Sequence, residues 1–231
     1  MTPLALMDRR LLIVVLAAGE SKRFGGIKLV QSIPSTSINS LCEQPIICAH
    51  IERLQQVNHI VFNQKNQSAC INHQSHLLVV LGAYQHTLRP LLERFDIQQT
   101  LTLLENPQWQ TGLSSSVRLA ANYAMEQGFD GILLTLADQV ALSVDDYQQL
   151  ILKWHETGKN VAAHYLDDLG VPAIFNASTL PLLTNLSGDR GAKSILKQQA
   201  KLGELVSIAL PNAAIDIDTK ADLTMWLALK E

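Results

Sequence analysis

The chain has 231 residues, 47% of them apolar, with a formal charge of −3 at pH 7. That length suits one generous domain whose core needs no covalent staples. The absence of a net basic field argues against nucleic acid as the main partner, and no apolar stretch approaches the length that spans a membrane.

In chain order, Arg9 and Arg10 precede a short apolar run at residues 11–16 that ends in Ala17, Ala18 and Gly19. A signal peptide has this order, but the pattern continues coherently past Gly19, so a cytoplasmic location is expected. Further apolar runs lie at 77–81, 101–104 and 131–136. Such continuous runs suit strands buried on both faces of a parallel sheet.

Helix-period segments fall between them. "PIICAHIERLQQV" places Ile46, Ile47, Ala49, His50 and Leu54 on one side. "SSSVRLAANYAMEQG" opens on serines able to cap and closes at Gly128, and "SVDDYQQLILKWHETG" opens on Ser143 and Asp146 at capping-box spacing and closes at Gly158. "NVAAHY" and "VPAIFN" read as an antiparallel pair at one end of the sheet. Helices are expected at 178–186 and 190–201, then a strand in "ELVSIALP" and a closing helix in "TKADLTMWLALK" that starts at Thr219 and Asp222. Strands alternating with helices imply an α/β fold with crossover connections.

Two polar stretches, 31–44 and 58–76, read as loop insertions. His59, His73, His76 and His86 show no metal-ligand spacing with carboxylates, so a solvated loop is the simpler account. Cys42, Cys48 and Cys70 cannot all pair and share no CxxC spacing, which suits reduced thiols and no zinc site.

"LAAGESKRFGGIK", residues 16–28, leaves the first strand as a glycine-rich, cationic loop. Ligands of open α/β sheets bind at that edge. Glycines let successive backbone N–H groups face an anion, while Arg23 and Lys28 add full charges. The loop matches neither the GxxxxGK[ST] nor the GxGxxG fingerprint. Asp138 ends the run "GILLTLADQ" at the same edge, suited to a divalent cation or to capping a turn. Asp216 and Asp218 in "AIDIDTKAD" alternate, so in a strand both carboxylates would share one face. Alternatively, Asp218 helps to start the last helix.

Together these segments resemble the MobA-like nucleotidyltransferases, and most of all the molybdenum cofactor cytidylyltransferases. "LAAGESKRFGGIK" is similar to their LAAGxSxRxGxxK signature, and "NPQWQTGLSSSVRLA" to their NPxWxxGxxxS segment. "LLTLADQV" stands at the place of their metal-binding strand end, with "SGDRGAK" and "IDIDTKADL" following in family order. The resemblance implies a three-layer α/β/α Rossmann-like sheet, mostly parallel with a small antiparallel part, and residues 1–231 as a single nucleotidyltransferase domain.

It also implies roles. Ala17, Ala18, Gly19 and Ser21 would contact the nucleotide, Arg23 and Lys28 would neutralise its phosphates, and Asn106, Gly112, Ser115 and Ser116 would shape the ribose and base region. Asp138 would hold Mg²⁺ (or Mn²⁺), with Asp218 as second ligand, while Asp189, Arg190 and Lys193 would face the pterin. The implied partners are CTP, molybdopterin or the molybdenum cofactor, and a recipient molybdoenzyme or its maturation factor.

The implied reaction moves CMP from CTP to the terminal phosphate of molybdopterin and releases pyrophosphate. Alternatives are guanylyl transfer, transfer to a sugar phosphate, and a non-catalytic carrier. Two departures bear on the acceptor. Ala137, Asp138, Gln139 and Val140 replace the family's Gly-Asp-Met-Pro, and Gly170, Val171 and Pro172 replace Gly-His-Pro.

Overall fold

The computed structural model describes residues 9–34, 43–60, 76–96, 98–188 and 191–229. Most of both polar insertions, and Asp189 and Arg190, lie outside the described residues. Seven strands form the main sheet: β1 (Leu11–Ala17), β4 (His76–Leu81), β5 (Leu101–Glu105), β6 (Gly131–Leu136), β7 (Asn160–Tyr165), β8 (Asp168–Asn176) and β9 (Leu205–Ala209). The two ends of the first insertion, expected as loop, instead pair as a small antiparallel ribbon, Ser32–Pro34 (β2) with Glu43–Pro45 (β3).

The sheet order is β5-β4-β1-β6-β8-β7-β9, with β8 antiparallel to both neighbours and the other pairings parallel. The expected antiparallel pair is therefore present but not terminal. β8 runs between β6 and β7, and β9 joins β7 in parallel to become the edge.

The alternation of β1 explains the layers. Leu11, Ile13 and Val15 pack with α1 (Ile46–Asn58), α2 (Gln85–Phe95) and α4 (Val144–Thr157), and with Trp226 of α7 (Lys220–Ala228). Leu12, Val14 and Leu16 face α3 (Leu113–Glu126), α5 (Leu180–Leu183) and α6 (Lys193–Lys201). Every β1 side chain is buried, as a central strand covered on both faces requires. The result is a three-layer α/β/α, Rossmann-like sheet.

Several local expectations change. Serines 114–116 do not cap α3. They lie buried inside its first turn, and Gly112 (φ 101°) is the N-cap, a conformation open to glycine. The 178–186 helix shortens to a turn at Ala177–Thr179 and the single turn of α5, where Thr184 and Asn185 fold their side chains onto the Pro181 carbonyl. α6 begins at Lys193 rather than 190. α2 carries Pro90 in its interior and falls outside the elements read from the sequence.

The Ser143–Asp146 and Thr219–Asp222 capping boxes both form. Among the described residues no helix is long and apolar enough to cross a membrane.

Candidate active site

β4 lies on one side of β1 and β6 on the other, so the chain reverses its direction across the sheet at β1. The carboxyl ends of β1 and β6 open into the crevice where such folds bind ligands. The loop after β1 turns through Ser21, held at φ 53°, and two short helical turns, Lys22–Phe24 and Lys28–Val30. Buried Phe24 anchors it, and the Tyr84 hydroxyl donates to the Glu20 carbonyl at 2.7 Å. Gly82 presses on its start. A Cβ there would stand 2.6 Å from the Ala18 carbonyl oxygen and 2.8 Å from Trp109 Cβ, a clash that any other residue would bring.

The charges interleave. Lys28, only 7% exposed at its side chain, sets Nζ 2.5 Å from Asp138 Oδ2 and 3.7 Å from Asp218 Oδ1. Arg23, largely in solvent, reaches Asp218 Oδ2 at 2.9 Å. A row of alternating sign thus runs Arg23, Asp218, Lys28, Asp138. A buried ammonium needs such partners, because desolvation alone would disfavour its charge.

Asp216 lies near this row with an exposed side chain. Partial desolvation, then the like charges of Asp138 and Asp218, hold its carboxyl above the usual range.

Residues 215–218 are not a strand, contrary to the expectation for the two alternating aspartates. The turn Pro211–Ala214 and the Thr219 cap take up the chain on either side, leaving a short irregular segment between them. Asp218 does not cap α7 through its side chain. Its backbone N–H donates to Asp222 Oδ2, which leaves its own carboxylate for Arg23 and Lys28.

A cleft of about 680 Å³ opens above the row. All six predicted residues of the first loop line it, with Gly112, Ser116, Asp138 and Asp218. Two of the residues predicted to bind the nucleotide do not. Asn106 and Ser115 are buried and do not line it: Asn106 Nδ2 donates to Ser115 Oγ at 2.8 Å and to Ser116 Oγ at 2.9 Å, and Ser115 Oγ donates to the Gly112 carbonyl. They brace the wall.

Lys193 is also away from the cleft, paired at 2.8 Å with Asp168. Lys193 and Lys197 hold the Asp168 carboxyl well below the usual carboxylate range. Trp109, Gln110 and Glu20 line the cleft without having been singled out. The position of Trp109 inside "NPQWQTG", a loop leaving a strand at the same sheet edge, was the available signal.

Asp138 and Asp218 converge on one ammonium, so their spacing suits a single cation. Among the described residues no group of three or more His, Cys, Asp or Glu can hold a metal alone. Two carboxylates completed by phosphate oxygens and water match the coordination habit of Mg²⁺.

A Rossmann-like sheet with a cationic glycine loop facing paired carboxylates is the architecture of a nucleotidyltransferase. A family model, the MobA-like NTP transferase domain, matches residues 13–202, and the chain belongs to that family. The purine catabolism protein PucB of Bacillus subtilis (strain 168) is 26% identical over 213 residues, covering 92% of this chain and 93% of that protein. The nicotine blue oxidoreductase of Paenarthrobacter nicotinovorans is 30% identical over 153 residues, 62% of this chain and 71% of that one. Among solved structures, a nucleotidyl transferase from Methanothermobacter thermautotroptrophicus shares the fold with a TM-score of 0.66 and 19% identity, covering 95% of this chain and 97% of the other.

Proposed function

We propose that the chain acts as one nucleotidyltransferase domain that moves CMP from CTP to the terminal phosphate of molybdopterin, releasing pyrophosphate. The observation that carries this reading is the row Arg23, Asp218, Lys28, Asp138 beneath the cleft. It offers cations for a triphosphate and carboxylates for a divalent ion at the same sheet edge. Asp138 and Asp218 would hold Mg²⁺ or Mn²⁺, which when bound neutralises phosphate charge and polarises the α-phosphorus.

The acceptor phosphate oxygen attacks that phosphorus in line, one P–O bond forms, and the bond to the β-phosphate oxygen breaks. The nucleophile is already ionised at neutral pH, so no side chain has to remove a proton. Lys28 and Arg23 compensate charge on the departing pyrophosphate, and the loop backbone orients the triphosphate. Asn106 and Ser115 hold Ser116 and Gly112 in place along the ribose side.

CTP is chosen on the Leu16, Ala17, Ala18, Gly19 order, with Ala18 lining the cleft. The fit of Asp189, Arg190 and Lys193 to the pterin is part of the same reading. The test is pyrophosphate release from CTP, GTP, ATP and UTP in turn, with molybdopterin and Mg²⁺ or Mn²⁺. Release with CTP alone is expected. Release with GTP overturns the nucleotide, and binding without release from any overturns the acceptor or the catalysis.

A further inference from the structure

Gln139 follows Asp138 directly, yet only 2% of its surface is exposed and it does not line the cleft. Its amide uses its full hydrogen-bonding capacity. Nε2 donates to the Val171 carbonyl at 2.9 Å and to the Ala213 carbonyl at 3.2 Å. Oε1 accepts from the Leu136 N–H at 3.3 Å and from Thr135 Oγ1 at 3.4 Å. One side chain therefore joins three segments far apart in sequence: the end of β6, the middle of β8, and the turn that leads to Asp216 and Asp218.

The orientation of the amide is set by two carbonyls facing Nε2 and the Leu136 N–H facing Oε1, and a chain of buried hydroxyls stands behind it. Thr135 Oγ1 lies 2.7 Å from the Tyr147 hydroxyl, which lies 3.4 Å from His50 Nε2, all buried. With His50 donating from Nε2, each hydroxyl passes one proton forward and Thr135 gives its own to Oε1. Reversing the amide would set its oxygen against two carbonyls.

The backbone alone links the two aspartates weakly, through the Ile217 N–H to the Asp138 carbonyl at 3.3 Å. Two carboxylates that must share a small volume repel, and rigid support has to hold them together.

We infer that Gln139 is a positioning residue: its amide ties Asp138 to the segment bearing Asp218, and the affinity of that carboxylate pair for a divalent cation depends on this tie. The inference rests on reading Asp138 and Asp218 as the cation-binding pair. The residue after the aspartate supplies two hydrogen-bond donors, which a methionine at that position lacks.

The experiment titrates Mn²⁺ alone into the full chain, read by the loss of the free-ion electron paramagnetic resonance signal. Thermal melts run beside it. Q139M keeps the volume and removes both donors. Q139E, whose buried carboxyl keeps one donor when protonated, retains one tie. T135V breaks the supporting chain but leaves both ties to Val171 and Ala213.

The expected order of affinity is wild type, then Q139E, then Q139M, with Q139M weaker by about tenfold or more, the scale seen when supports of metal ligands are removed. T135V should lower the melting temperature with affinity within about twofold of wild type, inside the error of such a titration. Should Q139M fail to fold, the step from wild type to Q139E carries the comparison. Equal affinity in wild type, Q139E and any folded Q139M, with D138N still weakened, overturns the role of Gln139 alone. No Mn²⁺ binding by wild type, or binding unaffected by D138N, overturns the carboxylate reading and the inference with it.

Discussion

The loop after β1 closes mainly on itself. Phe24 N–H donates to the Ser21 carbonyl, Gln31 N–H to the Lys28 carbonyl, and the Gln31 side chain to the Ile27 carbonyl. The loop after β6, residues 137–142, is held from far away. Gln139 reaches Val171 and Ala213, Arg53 Nη2 donates to the Val140 carbonyl at 3.3 Å, and the Ile217 N–H donates to the Asp138 carbonyl. The two loops meet at the ion pair between Lys28 and Asp138. A loop of the first kind declares itself in local glycine spacing. One of the second kind is specified by residues that a reader of the chain has no reason to connect.

The largest effect is expected where the loops meet. Lys28→Ala and Asp138→Ala should each lower turnover by at least about a hundredfold, the scale of losing a charge that stabilises the transition state, in initial-rate measurements of pyrophosphate release. Their stabilities should separate in urea melts. Asp138→Ala leaves the deeply buried Lys28 short of its nearer partner and should cost about 3 kcal/mol, whereas Lys28→Ala leaves a more hydrated carboxylate and should cost less.

The second loop should respond to acid through the network beneath it. Burial pushes His50 down to about 3, with the Arg53 charge adding to the effect. The unfolded chain takes up that proton near pH 6.5 and the folded one does not. The His50 contribution is therefore complete above about pH 6.5 and is lost as pH falls towards its folded value, at about tenfold in the folding constant per unit. Asp216 opposes this trend at lower pH, because its raised carboxyl favours the folded state as it protonates. Urea melts of wild type and His50→Gln between pH 7 and 5 isolate the histidine: the variant should lose the slope, and an unchanged slope assigns it to another group.

A smaller effect is expected at the start of α4. Asp146 Oδ2 accepts from the Ser143 N–H and Oγ and from Asn212 Nδ2 at 3.1 Å, joining the helix cap to the turn before Asp216. Ser143→Ala should cost about 1 kcal/mol in a thermal or urea melt. Smallest is Tyr84→Phe, which removes the bond to the Glu20 carbonyl. A loss of about 0.5–1 kcal/mol is expected. A larger loss would show that the first loop leans on distant support as the second does.

Particular elements show what could be read in advance. The all-apolar run of β1 betrays a strand covered on both faces, and Ser143 with Asp146 betrays a helix start, because each signal acts within a few residues. The interior helix proline of α2 hid an amphipathic segment whose Leu88 and Leu92 are buried. Serines 114–116 read as caps, yet Gly112 takes that position, and Ser115 and Ser116 face inward to Asn106. Alternation predicts Asp218 on a strand, whereas an irregular segment delivers its carboxylate to Lys28.

The sequence alone determined the layered α/β class, the cationic loop at a strand end and the aspartate at another, since hydrophobic period, glycine placement and caps are local. Only the tertiary structure decided the insertion of β8 between β6 and β7, the edge position of β9, the convergence of Asp138 and Asp218 on one ammonium, and the role of Gln139 behind them. Those outcomes depend on which distant backbone carbonyls and charges a side chain meets once the core has closed. Burial makes such meetings compulsory, because a polar group taken from water must find a partner wherever the fold has put one.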